Sequence, residues 1–178
     1  MISNRLIIFN IVAFQLLWWT CVLSAKHGLD WLVLIVTLAY IFVHFCWIEP
    51  KQQLWPFILT AIIGCVFDQY LFMMDWIRFN HHPAISAYIP LWMIALWLGF
   101  ATTLNISLHW LQHRLRLAAS LGAVFGPLAY LGAQQLEAVT LTHPLESLVC
   151  IAIEWGLALP LLLLIRRRFD QPVEAARP

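Results

Sequence analysis

Two carboxylates stand out in a sequence otherwise poor in charge. Asp68 and Glu154 each lie deep inside a long apolar run, and no Lys or Arg falls within those runs to pair them. An ionisable group among acyl chains is costly, so such residues turn toward a bundle interior, a wet cavity or a partner. The chemistry they offer is proton carriage or recognition of a polar group; the alternative is a hydrogen bond that glues two helices. Asp68 is the fourteenth residue of one apolar run and Glu154 the tenth of another running the opposite way. Their depths then differ by about 6 Å along a helix, a gap that water or a long side chain spans. Gln134 and Gln135 end a further run at the same level, so a polar niche is expected there, lined by Asp68, Glu154, Gln134, Gln69, Tyr70, Trp155 and Tyr130.

A second set of polar residues, Thr102, Asn105, His109 and Gln112, recurs at three- and four-residue steps, the spacing of one helix face. Asn10 and His44 fall in the same half of their own runs. His109 and His113 also have the i, i+4 spacing with which two imidazoles hold one metal ion, and His44 is a conceivable third ligand. No carboxylate joins them, so no metal site is expected. The four cysteines, Cys21, Cys46, Cys65 and Cys150, show no CxxC pairing and read as small apolar packers. His81-His82-Pro83 reads as a solvated loop. The chain carries no nucleophile elbow, zincin motif, paired-Cys ligand set or Gly-rich phosphate loop, so no cofactor is expected and a non-enzymatic role is favoured over catalysis.

The elements that must position these groups follow from composition. Of 178 residues, 62% are hydrophobic and 11% charged, against about a quarter charged in soluble domains. That excludes a water-soluble fold and a disordered chain. A helix needs about 20 mainly apolar residues to cross the hydrocarbon core. Six stretches qualify, over about residues 6–25, 31–48, 55–74, 87–111, 117–136 and 145–165. The expected fold is all-α, a six-transmembrane-helix bundle over residues 1–168 with a short hydrophilic tail over 169–178. The first span has Arg5 ahead of it like a signal peptide, but Leu23 at the minus-three site is not small, so it reads as an uncleaved helix.

Eight basic residues (Arg5, Lys51, Arg114, Arg116, Arg166, Arg167, Arg168, Arg177) fall on one side and two, Lys26 and Arg78, on the other. The positive-inside bias therefore places both termini in the cytoplasm. Trp31, Trp76 and Trp92 fall near one interface and Trp47, Trp55 and Trp110 near the other. Thr60, Gly64 and Asp68 form a stripe at intervals of four, and Gly122 and Gly126 a GxxxG pair, both of which let a neighbouring backbone approach. Pro127 and Pro160 predict local bends.

Several stretches together resemble an uncharacterised family of small polytopic bacterial inner-membrane proteins. They are the run from Asn10 through Phe14-Gln15 to Trp18, the Gly64, Asp68 and Leu71 step, the block from Pro90 and Trp92 through Trp97 and Phe100-Ala101-Thr102-Thr103-Leu104-Asn105 to Ser107 and Trp110-Leu111, and Gly126-Pro127-Leu128-Ala129-Tyr130. The resemblance spans nearly the whole chain. It implies a compact protein of the bacterial inner membrane and supplies no substrate, cofactor or catalytic residue.

Three functions fit the residues. The first is a protein that binds a lipid or other apolar small molecule, or assists a membrane lipid pathway, in a pocket roofed by some of the 10 tryptophans. The second is a small proton-coupled secondary transporter, since six spans divide into two oppositely oriented halves with an acid in the third helix of each. The third is an intramembrane lipid-modifying enzyme, disfavoured because the two acids and the histidines fall in opposite halves of the membrane. Expected partners are membrane lipids and an apolar small molecule, with a membrane-protein partner or a second copy of the chain as further options; nucleic acid is not expected.

Overall fold

The computed structural model describes residues 2–83 and 86–169. Most of the tail expected over 169–178 lies outside the described residues. The chain runs through α1 (Asn4–His27), α2 (Asp30–Trp47), α3 (Leu54–Met73), β1 (Ile77–Phe79), α4 (Leu91–Ala101), α5 (Leu115–Gln135), β2 (Val139–Leu141) and α6 (Pro144–Phe169), with single 3-10 turns at Lys51–Gln53 and His109–Leu111. Five of the six α-helices are long and apolar enough to cross a membrane. The Ser3 hydroxyl caps α1 by accepting from the Leu6 N–H. Gly28, at φ 62°, ends that helix in the left-handed conformation a side chain would resist, so that α2 can start two residues later.

The fourth span departs from expectation. Instead of one helix over 87–111, α4 stops at Ala101, after 11 residues, or about 16 Å, roughly half the hydrocarbon core. The cause is local. The Thr102 and Thr103 hydroxyls bond back to the Gly99 and Phe100 carbonyls at 2.7 Å each, and the Thr-Thr-Leu-Asn-Ile-Ser run offers the backbone side-chain partners that compete with helix propagation. Residues 102–108 continue as turns, with the Ile106 and Leu108 N–H groups both donating to the Thr103 carbonyl. Irregular backbone at membrane depth survives only inside protein, and Thr102, Leu104 and Asn105 are all buried.

The connections between the helices gather at two ends of the bundle. At one end, β1 pairs antiparallel with β2, Arg78 opposite Thr140, which ties the α3–α4 and α5–α6 connections together. Lys26, at the end of α1, meets Glu137 there at 2.5 Å. At the other end the Gln53 side chain donates to the Phe169 carbonyl at 2.9 Å and Arg167 to the Gln112 carbonyl at 3.0 Å. The start of α1 and the end of α6 share this second, basic end. At the β-ribbon end both cations are paired, Lys26 with Glu137 and Arg78 with Asp75, so the net positive charge lies at the basic end.

Helix α4 packs against α1, α2 and α3, while α6 packs against α5 and α3. Small residues set these approaches: a Cβ on Gly64 would overlap the Trp97 ring, and one on Gly122 the Trp155 carbonyl. Trp47 and Trp55 stand exposed as interfacial rings do, but Trp92 is buried, edge-on to Phe79 at 5.7 Å, because the β-ribbon folds over it. Pro127 and Pro160 lie inside continuous helices, and α6 runs past residue 165, carrying Arg166 into the protein.

Candidate functional site

A cleft of about 660 Å³ opens where α1 and α5 face each other. Neither helix takes the other as a main packing partner: α1 rests on α4 and α2, and α5 on α6. They draw close at Trp18, whose ring lies 3.3 Å from where a Cβ on Gly132 would stand. Phe14, Gln15, Trp18 and Val22 supply one wall, residues 121–133 of α5 the other, and α4 with Trp155 of α6 the floor. The α5 wall spans about 18 Å, slightly more than the roughly 15 Å of hydrocarbon in one leaflet. Phe125, Leu128 and Trp110 are exposed along the rim. The walls are almost wholly apolar and aromatic, and among the described residues Asp68 is the single acid that lines them.

Asp68 is 1% exposed. Its carboxylate accepts from Trp97 Nε1 at 2.5 Å and from the Tyr130 hydroxyl. The Gly64–Asp68 stripe explains how: Trp97 lies flat where Gly64 leaves room, and its ring stacks on Trp155 at 5.1 Å. Trp155 in turn fills the space left by Gly126. Two glycine gaps thus hold a pair of stacked indoles against a buried acid. Glu154 is also buried, at 8% exposure, and close enough to Asp68 to act on it electrostatically. Both its carboxyl oxygens lack a hydrogen-bond partner among the described residues. The two acids therefore do turn inward.

The other residues expected in that niche are placed elsewhere. The Gln134 side chain accepts from the Leu141 N–H at 3.0 Å and so anchors β2. Gln69 donates to the Ala87 carbonyl at 2.8 Å and accepts from the Ile89 N–H at 3.0 Å, holding the approach to α4. Tyr70 is exposed and points away from the cleft, since two steps along a helix turn a side chain to the far face. Of the expected set, Asp68, Tyr130 and Trp155 line the cleft. Trp97 and Gln15 line it too, and sequence reasoning passed over both. The signal for Trp97 was the gap at Gly64, which needed a large ring to fill it.

The second polar set does not form a helix face, because the chain leaves the helix at Ala101. Its members satisfy the irregular crossing instead. Asn10 donates to the Thr102 carbonyl at 3.4 Å and accepts from the Ser107 N–H at 3.3 Å. Gln112 donates to the Leu104 carbonyl and to Asn105. Asn105 donates to Glu49 at 2.6 Å, and Glu49 also meets His44 at 3.1 Å and Arg166. Glu49 and Gln53, which fall between the expected second and third spans, and Arg166, just past the expected sixth, form a buried hub. His109 takes no part: it lies on a single 3-10 turn, so the i, i+4 geometry with His113 is not formed.

Glu49 sits in the connection between α2 and α3. Burial by itself pushes its carboxyl up, but the hydrogen bond from His44, the Arg166 guanidinium and Asn105 outweigh burial and hold it below the ordinary glutamate value. This hub does not line the cleft.

No curated protein and no solved structure matches the chain. One family model does, described as a protein of unknown function (DUF2878), over residues 7–161. The matched region contains every cleft residue and all of the buried hub except Arg166. The chain thus belongs to the DUF2878 family, proteins of unknown function.

Proposed function

We propose that the chain binds a lipid or other apolar molecule in the cleft between α1 and α5, as an integral protein of the bacterial inner membrane with both termini in the cytoplasm. The observation that carries this reading is the cleft itself: apolar, side-open, of ligand-pocket size, and furnished with one fixed carboxylate. A molecule already dissolved in the bilayer reaches such a site by moving sideways between helices and need not pass through water. The excess of cations at the basic end supports the orientation.

A second reading, a proton-coupled secondary transporter, draws support from the broken fourth crossing and the two inward acids, since discontinuous helices mark substrate sites in transporters. The irregular segment here is closed by Asn10, Asn105 and Gln112, which favours binding over transport. An enzymatic reading gains an acid beside a histidine, Glu49 and His44, but these are sealed in the hub with Arg166.

Photoreactive long-chain probes test the reading. With a diazirine on the chain, presented as a free alcohol or esterified in phosphatidylglycerol, at least one form should label Leu96, Phe100 or Leu121 on irradiation in vesicles. Labelling confined to outward residues such as Phe42, Val66 and Ile153 would refute it.

A further inference from the structure

The polar groups of the cleft sit at the wrong depth for a charged headgroup. Gln15 lies midway along α1, about 16 Å from either end, and so near the bilayer midplane. It is exposed, lines the cleft, and has no hydrogen-bond partner among the described residues. An unpaired primary amide facing hydrocarbon is costly. At a similar depth on α6, the Trp155 indole N–H is buried with no acceptor among the described residues. Among the described residues no Lys or Arg lines the cleft to pair a phosphate, and Asp68, the one acid that does, offers it no countercharge.

We infer that the occupant is an uncharged long-chain lipid carrying a hydroxyl or carbonyl oxygen, which the Gln15 amide binds near the midplane while the chain fills the apolar cleft. This rests on the cleft reading above and narrows it to a chemical class. A primary amide both donates and accepts, so it complements a hydroxyl fully and a carbonyl through its N–H groups. A phospholipid would hold its charge at the interface, about 15 Å away, and leave Gln15 unanswered.

The test is competition against photolabelling of the cleft by the diazirine-bearing alcohol, using octadecanol, octadecane and dioleoyl phosphatidylglycerol as competitors. Octadecanol should compete about five-fold better than octadecane, the worth of one hydrogen bond, and phosphatidylglycerol should compete no better than the alkane. Gln15→Leu should erase the advantage of the alcohol and leave octadecane unchanged. Because Gln15 is exposed, that variant should keep the helical circular dichroism of the native chain. Equal competition by alcohol and alkane, stronger competition by phosphatidylglycerol, or an advantage that survives Gln15→Leu would overturn the inference while leaving the cleft reading intact. Absence of all cleft labelling would remove both.

Discussion

Replacing Glu49 with Ala should destabilise the protein by about 3–5 kcal/mol, the cost of removing one partner from a buried ion pair. The side chains of Glu49 and Arg166 are 4% and 0% exposed, so no water stands ready to take the place of the carboxylate. Arg166 would retain the Gln53 carbonyl at 3.1 Å, and His44 and Asn105 would each lose an acceptor. Unfolding in detergent micelles, followed by far-UV circular dichroism, measures the loss. The double variant Glu49→Met, Arg166→Met should recover most of it, because replacing both charges leaves none stranded. A pH arm follows from the same contacts. Because the folded protein holds Glu49 below its ordinary value of 4.5, its contribution is complete above that value and drains away as pH falls through the lower, folded value. Glu49→Gln should flatten this acid limb.

Gly64→Ala should cost about 3 kcal/mol, far more than one methyl on an exposed helix, as overpacking combines with a broken buried hydrogen bond. The new Cβ would overlap the Trp97 ring. That ring is stacked on Trp155 on one side and bonded through Nε1 to Asp68, so it has nowhere to move without releasing the carboxylate. A double-mutant cycle separates the two effects. In a Trp97→Leu background, Gly64→Ala should cost under about 1 kcal/mol, because the ring that met the methyl is gone. Equal costs in both backgrounds would show that Gly64 matters for some reason other than room for Trp97.

The contrast between these two sites shows what the sequence discloses. Asp68 was legible because an acid inside an apolar run has few physical options, and the stripe through Gly64 pointed to the side from which a neighbour approaches. The Gly122–Gly126 face of α5, on which Trp155 of α6 packs, was legible from its GxxxG spacing. Glu49 and Arg166 were not, because a charge beside Pro50 or at the head of an arginine run looks solvated until tertiary structure buries it. Hydropathy also read straight through Thr102: Leu, Ile and Trp continue beyond it, and an average over side chains does not register hydroxyls bonding back to the helix carbonyls. Tyr70 was assigned to the niche by closeness in sequence, although helix geometry turns it away from Asp68. Gln15 was visible as a polar residue in a span, but only the separation of α1 from α5 gives its amide a cleft to face.

A lipid-sized molecule held in the cleft between α1 and α5 is displaced when a side chain fills that cleft. Ala129 lines it on α5 and is half-buried, so Ala129→Trp should occupy the space with little disturbance elsewhere. Native mass spectrometry of protein purified in mild detergent should find a bound apolar molecule on the native chain and at least ten-fold less on Ala129→Trp, with equal helical circular dichroism. Equal occupancy in the two proteins, or none on the native chain, would contradict the account.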